Sequence, residues 1–358
     1  MASSDQIQYR PSASLILANK QVFHAKKEFD YNLLLMKRTE RTSYALNHCV
    51  FPGGVFDAQA DESADWLIYF QQCGVSRDQL KLLHSRQSMG RPELMTQGLE
   101  FSRDISLRLT ALREAFEEVG ILLCRKNLKN LKGGQPAQVV QLFDREYWQQ
   151  RVHNDAQQFL VLCRHLAVVP DLWALNEWSI WRTPASAASR KYDTVYYLAA
   201  LDLDCNVDLL LEPTEVAAAY WLQPSDCWLQ SREGLIWLPY ILLYETARLM
   251  SIQRWQQLLQ FAYERSPQGS TLLQPIYYRT NDCLIGVLPG DELYLPEPEY
   301  CNESIVLPCS ISELNAVAKR FNRYMIYSFQ HVDFACNVHP LDGHFPLQTR
   351  VNALLAKL

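Results

Sequence analysis

The residues best suited to chemistry are three carboxylates, Glu114, Glu117 and Glu118, which follow Arg113 and precede Gly120. From Asp104 to Val119 the chain has neither proline nor glycine, and Asp104 is a suitable N-cap before Ile105, so a helix is expected here. At about 100° per residue, Ile105, Leu109, Leu112, Phe116 and Val119 share one line, and the glutamates fall opposite it. One face is therefore expected to enter a core while the other presents three anions within about one helical turn. Anions that close repel one another. Such a cluster persists when a hard cation that takes oxygen ligands, Mg²⁺ or Mn²⁺, neutralises it. Taken alone, the same spacing also suits an ordinary solvated acidic face.

A second stretch, Phe51-Pro52-Gly53-Gly54, can bring backbone close to a ligand or metal, because glycine has no Cβ and tolerates positive φ. The elements that must position both stretches begin upstream. Ser14–Ala18 and Tyr31–Met36 read as strands joined by a basic turn at Lys26-Lys27, and Lys37, Arg38 and Arg41 follow at once. Residues 1–10 are polar and expected to be unordered. Between the glycine pair and the glutamate helix, Ser63–Gln72 and Ser76–Ser85 read as two helices, followed by a turn at Gly90-Arg91-Pro92. They form either a satellite hairpin with its own core or a lid beside the site.

Downstream, Lys126–Gln138 is a polar loop and Arg145–Leu166 a long helical stretch. Trp178–Pro184 and Asp193–Ala200 read as strands, with Arg190-Lys191-Tyr192 leading into the second. Glu212-Pro213-Thr214-Glu215-Val216 precedes Tyr220-Trp221-Leu222-Gln223-Pro224, and Pro239–Arg265 is predominantly helical. From Ser266 onward proline becomes dense and the pattern turns to short strands and turns, an extension expected to pack on the preceding unit.

Composition bounds the rest. The chain is 48% hydrophobic and 20% charged, ordinary globular values, and its net charge of −5 argues against a protein that coats nucleic acid. A nucleotide in a local pocket is compatible with it. The ten cysteines form no CxxC pair and no histidine cluster has zinc spacing, so they read as free thiols. No apolar run is long enough to span a membrane, and the first ten residues lack an export signal. The C-terminal Ala356-Lys357-Leu358 has the small-basic-leucine form of a peroxisomal address, and predicts an import receptor as partner.

Arg113-Glu114-Ala115-Phe116-Glu117-Glu118-Val119-Gly120-Ile121 resembles the second half of the Nudix box, and Phe51-Pro52-Gly53-Gly54 its beginning. An uninterrupted box has about 13 residues between this glycine and this arginine; here there are 58, an insertion running from about Ala58 to Arg103. The box glutamate expected eight residues before Arg113 is replaced by Ile105, and the adjacent Asp104 is expected to take over its helix-capping role. The split box, the late Leu288-Pro289-Gly290-Asp291-Glu292-Leu293-Tyr294 segment and the C-terminus together resemble the peroxisomal acyl-coenzyme A diphosphatase subgroup of Nudix hydrolases.

The resemblance implies an α/β/α sandwich around a mixed sheet, spanning 11–265, with the extension at 266–355. It also implies divalent-metal hydrolysis of a diphosphate joined to a second group. It assigns Glu114, Glu117 and Glu118 to metal-binding and base positions, Gly54 to a backbone carbonyl that completes the metal shell, and Arg113 to steadying a catalytic glutamate. Glu117 and Glu118 are the expected principal ligands. Glu114 is either a shared ligand or the base, and Glu215, with Glu212 in reserve, is the late-loop carboxylate. For coenzyme A recognition, Leu34-Leu35-Met36-Lys37-Arg38 matches half of an upstream motif, while Tyr44 and Asn47 stand where an arginine and a glycine belong. Arg38, Arg41, Arg190 and Lys191 are the cations available for its phosphates, with Gly53 and Gly54 against the substrate. The expected reaction converts coenzyme A or its esters to 3′,5′-ADP and (acyl-)4′-phosphopantetheine. The alternatives are ADP-ribose, a dinucleotide or capped RNA as substrate, or a non-catalytic binding module.

Overall fold

The computed structural model describes residues 8–21, 28–42, 45–86, 91–96, 98–128, 131, 133–187, 190–203 and 208–347. The Lys26-Lys27 turn, Tyr44, Cys205 and the C-terminal tripeptide lie outside them.

The chain opens with β1 (Arg10–Lys20) and β2 (Tyr31–Arg38), then β3 (Cys49–Val50) and β4 (Gly53–Val55). Four helices follow: α1 (Ala58–Asp61), α2 (Asp65–Gln72), α3 (Arg77–Lys81) and α4 (Glu93–Thr96). The glutamate helix is α5 (Arg103–Val119), followed by β5 (Leu122–Arg125) and β6 (Val139–Val140). The expected long helix is two, α6 (Arg145–Asn154) and α7 (Gln158–Leu166), because Asp155 adopts extended backbone between them. Then come β7 (Val169–Pro170), β8 (Asn176–Arg182), β9 (Tyr192–Leu201), β10 (Val216–Leu222), α8 (Pro224–Arg232), α9 (Tyr240–Leu249) and α10 (Trp255–Arg265).

The central sheet is mixed, in the order β10-β2-β1-β9-β8-β11, where β11 is Leu272–Leu273. Its strands alternate with period two. Ala13, Leu15 and Leu17 of β1, with Leu34 and Met36 of β2, face a core shared with α5, α6 and α7. Ile16, Ala18, Leu33 and Leu35 face a second core built with α8, α9 and α10. Helices on both faces of a mixed sheet make the expected α/β/α sandwich.

Strand β1 positions the glycine pair. Its first half pairs antiparallel with β4, Ala13 opposite Gly54 and Ser14 opposite Gly53, while its second half pairs with β2. The whole strand runs parallel to β9.

Among the described residues, the inserted helices bury apolar side chains in the first main core. Trp66, Tyr69 and Phe70 of α2 are buried in the first main core, Trp66 stacks against Phe159 of α7, and the Tyr69 hydroxyl donates to the carbonyls of Cys163 and Val168 at 2.8 Å each. Arg91 ties the insertion down by donating to Asp104 at 2.5 Å and to Glu177 at 2.7 Å. The nine described cysteines are free thiols. No described helix is long and apolar enough to cross a membrane.

The C-terminal extension adds β12 (Ile276–Arg279), β13 (Leu284–Val287), β14 (Ile305–Val306), α11 (Ile311–Val317), β15 (Asn322–Ile326) and β16 (Val332–Cys336). Its five strands form one sheet in the order β14-β12-β13-β15-β16. Tyr324 and Phe334 of that sheet pack into the second main core, which fastens it to α8 and α9. Asp291 in the Leu-Pro-Gly-Asp-Glu-Leu-Tyr segment is a buried structural anion, held by both arms of Arg323 at 2.6 Å.

Candidate active site

Helix α5 starts and stops where local chemistry directs. Its N-cap is Ser102, whose hydroxyl accepts the Asp104 N–H at 3.2 Å, so Asp104 is not the cap; its carboxylate is spent on Arg91. At the other end Gly120 has φ 70°, a left-handed turn that glycine enters without penalty. The expected apolar stripe is buried, but so is the opposite face: Glu117 and Glu118 are 9% and 2% exposed, and Arg113 3%. The solvated acidic face is thereby ruled out.

Arg113 is the hub that makes this burial tolerable. Its Nε and Nη2 donate to Asp61 at 2.8 and 2.9 Å, and Nη2 also reaches the Val55 carbonyl at 3.1 Å. Its Nη1 holds Oε1 of Glu114 at 2.9 Å and Oε1 of Glu117 at 2.6 Å. Asp61, which also accepts from Thr110 Oγ1 and the Asp57 N–H, is the carboxylate that supports Arg113, whereas the box spacing points to position 105. It sits instead at the end of α1, at the very start of the inserted stretch. Counting six residues forward from Gly54, the spacing of an uninterrupted box, lands on Ala60, the residue next to it.

Glu118 faces another way. Its oxygens accept from Arg38 Nη1 and from the Gly53 N–H, each at 2.8 Å. Arg38 also lies 3.6 Å from Glu215. The loop carrying Glu215 is clipped to the end of α5 by the Leu210 N–H on the Val119 carbonyl and the Glu212 N–H on the Glu118 carbonyl, both at 3.0 Å. Glu212, the reserve candidate, uses its carboxylate on the N–H groups of Thr214 and Glu215 and so shapes its own turn. Gly54 lies against Glu114: a Cβ there would stand 2.3 Å from the carboxylate carbon, so only glycine leaves room for it.

Five carboxylates (Asp61, Glu114, Glu117, Glu118 and Glu215) thus share two guanidiniums, those of Arg38 and Arg113. Burial raises the proton affinity of all three helix glutamates. Glu117 is pushed up to about 8, chiefly by burial, with Arg113 opposing and Glu114 adding to the rise. Glu118 is driven well above the usual range by burial and then by Glu114, against Arg38 and the Gly53 N–H. This excess of hard, negative oxygen donors suits a divalent cation. Among the described residues no three acidic, histidine or cysteine side chains converge on one point. The donor set fits a cation in its chemistry, while Glu114 and Glu117 are drawn toward Arg113 and Glu118 toward Arg38.

A cavity of about 900 Å³ opens beside the glycine pair on the second-core side of the sheet. Ser12, Ser14, Thr194 and Tyr196 line it, together with Arg38, Arg41, Gly53, Gly54 and Arg190. Lys191 does not join these cations. Its ammonium is spent on the carbonyls of Pro184, Ala185 and Ala187. Among the described residues of 58–103, none lines this cavity. Sequence reasoning also missed His48, whose buried ring packs on Trp237 and is pushed down to about 4 by burial and by Arg38. Asn47, where the upstream motif has glycine, takes φ 54°, a conformation asparagine tolerates.

Two family descriptions match the chain: "NUDT19 Nudix domain" over residues 9–249 and "NUDT19 C-terminal domain" over 278–337. The chain belongs to the NUDT19 Nudix family. It is a Nudix hydrolase acting on diphosphate anhydride bonds. The Gallus gallus protein named acyl-coenzyme A diphosphatase NUDT19 is 34% identical, over 88% of this chain and 87% of its own. The Homo sapiens protein of the same name is 32% identical over 88% and 86%. The solved Nudix hydrolase of Alicyclobacillus acidocaldarius shares the fold at 18% identity, with a TM-score of 0.50 over 71% of this chain and 96% of its own.

Proposed function

We propose that this chain hydrolyses the diphosphate of coenzyme A and acyl-coenzyme A esters, with a divalent cation, to 3′,5′-ADP and (acyl-)4′-phosphopantetheine. The observation that carries the reading is the juxtaposition of the buried carboxylate cluster, the Gly53-Gly54 turn and a cavity with three arginines, in a chain similar to proteins named acyl-coenzyme A diphosphatases.

Glu117 and Glu118 are assigned as principal cation ligands, Glu114 as shared ligand or base, and Glu215 as the late-loop carboxylate. The Gly54 carbonyl is assigned to the same shell. Mg²⁺ or Mn²⁺ bound there supplies charge neutralisation at the phosphoryl oxygens and a water of lowered pKa. Arg113 engages only Oε1 of Glu114 and of Glu117, and so orients both while leaving Oε2 of each for a ligand or a proton. Arg38, Arg41 and Arg190, with the glycine backbone, are assigned to the substrate's phosphates.

The test is to incubate the protein and Mg²⁺ with coenzyme A, several of its esters, ADP-ribose and a dinucleotide, and to identify products by mass. Cleavage of the coenzyme A compounds to the two named fragments is expected. Cleavage of ADP-ribose or the dinucleotide alone refutes the substrate assignment. Glu117→Gln is expected to lose turnover and keep its circular-dichroism spectrum; normal turnover refutes the carboxylate assignment. A separate proposal concerns delivery: an import receptor reads Ala356-Lys357-Leu358 and carries the protein to peroxisomes. Deleting Leu358 is expected to leave it cytosolic, and unchanged peroxisomal localisation refutes this.

A further inference from the structure

The cavity has an aromatic roof that phosphate chemistry does not require. Trp237 and Tyr240 come from the entry to α9, and Tyr277, Tyr324 and Phe329 from the C-terminal sheet. Phe329 lies in the turn between β15 and β16, edge-on to Trp237 with ring centroids 6.2 Å apart, yet it is 66% exposed.

Three segments meet at this edge. The Trp237 N–H donates to the Asn47 carbonyl at 2.8 Å, and the Asn47 side-chain amide reaches the Gly234 carbonyl at 3.5 Å. The Gln330 amide lies 2.9 Å from where a Gly234 Cβ would stand. These segments carry Leu46 and Leu235, 83% and 59% exposed, next along the chain to Asn47 and Gly234, as Phe329 is to Gln330. Single exposed apolar side chains are ordinary, but three on segments that meet next to the Trp237–Phe329 wall of the cavity give that end an apolar lip.

We propose that this lip and the Trp237–Phe329 wall bind the fatty acyl chain of an acyl-coenzyme A ester, an inference that rests on the substrate reading above. Continuity identifies the occupant. The same cavity holds Gly53, Gly54 and Arg38 beside the carboxylates, so a substrate with its diphosphate there extends its far end along the aromatic roof. A chain of methylenes longer than the roof then crosses the lip and covers side chains otherwise left in water. The C-terminal extension thereby sets the acyl-chain preference, because it supplies Phe329 and the tyrosines opposite the sheet.

The test compares kcat/KM for free coenzyme A, acetyl-coenzyme A and palmitoyl-coenzyme A in the wild type and in a Leu46→Ser/Leu235→Ser/Phe329→Ser variant. The ratio of palmitoyl to free coenzyme A is expected to fall about tenfold, mainly through KM, as apolar contact area is lost. The acetyl to free ratio is expected to hold within about twofold, since a two-carbon group ends before the lip. An unchanged palmitoyl ratio overturns the proposal, and so does an equal loss on all three substrates. A wild type that cleaves none of the three overturns the substrate reading and this inference together. Cleavage with an unresponsive ratio overturns this inference alone. The single variant Phe329→Leu, which keeps an apolar side chain, is expected to retain most of the palmitoyl preference.

Discussion

Replacing Asp61 by alanine tests the architecture of the site more directly than replacing a glutamate. Asp61 is 1% exposed and accepts from Arg113 twice, from Thr110 and from the Asp57 N–H. Removing one partner of a buried ion pair costs roughly 3–5 kcal/mol, because the other charge stays buried. Arg113 keeps the Val55 carbonyl, Glu114 and Glu117, which places Asp61→Ala at the lower end, about 3 kcal/mol. That is a large share of a typical stability of about 5–15 kcal/mol. Freed on its Asp61 side, the guanidinium is expected to swing toward the glutamates and pull both off their positions, so turnover falls as well. Asp61→Asn keeps the shape without the charge and is expected to cost less. Urea unfolding followed by circular dichroism reads the stability, and product mass from coenzyme A reads the turnover. An unchanged unfolding midpoint refutes the reasoning. So does rescue of Asp61→Ala by Ile105→Glu, because Ile105 is buried in the first core and far from serving Arg113.

Gly54→Ala places a methyl 2.3 Å from the Glu114 carboxylate carbon, so that side chain must move; turnover is expected to fall at least about a hundredfold, and wild-type activity in a folded variant sinks the placement of Glu114. His48 is expected to titrate with a midpoint near 4 by NMR, against its ordinary 6.5. Its lowered value means the unfolded chain takes up the proton first, so its contribution to stability is present above 6.5 and lost as pH falls toward 4. A midpoint near 6.5 refutes this. Arg91→Met strands Asp104 and Glu177 without their shared cation and is expected to destabilise by about 3 kcal/mol or more, with faster proteolysis inside the insertion; an unchanged unfolding midpoint refutes that role.

Much of this protein is legible in residue order because local periodicity is a physical constraint. Leu33 and Leu35 must leave β2 on one face and Leu34 and Met36 on the other, which announces a strand buried on both sides. Helical spacing alone likewise groups Glu114, Glu117 and Glu118. Periodicity states which residues share a face, but not what lies against it. That the acidic face of α5 is covered depends on Arg38, Gly53 and Asp61, all from parts of the chain far from the helix in sequence. The same limit explains the misplaced supporting carboxylate. Spacing along the chain points to position 105 and offers its neighbour Asp104 as a helix cap, whereas a side chain bonds to whatever the fold brings within about 3 Å. Packing chose Arg91 for Asp104 and Asp61 for Arg113. It also laid the aromatic roof of the C-terminal sheet over the cavity, a contact between segments that no local pattern connects. The carboxylate motif is therefore a property of residue order, whereas its partners, its burial and its cavity come from tertiary contacts, whose chain-entropy cost only the assembled cores can offset.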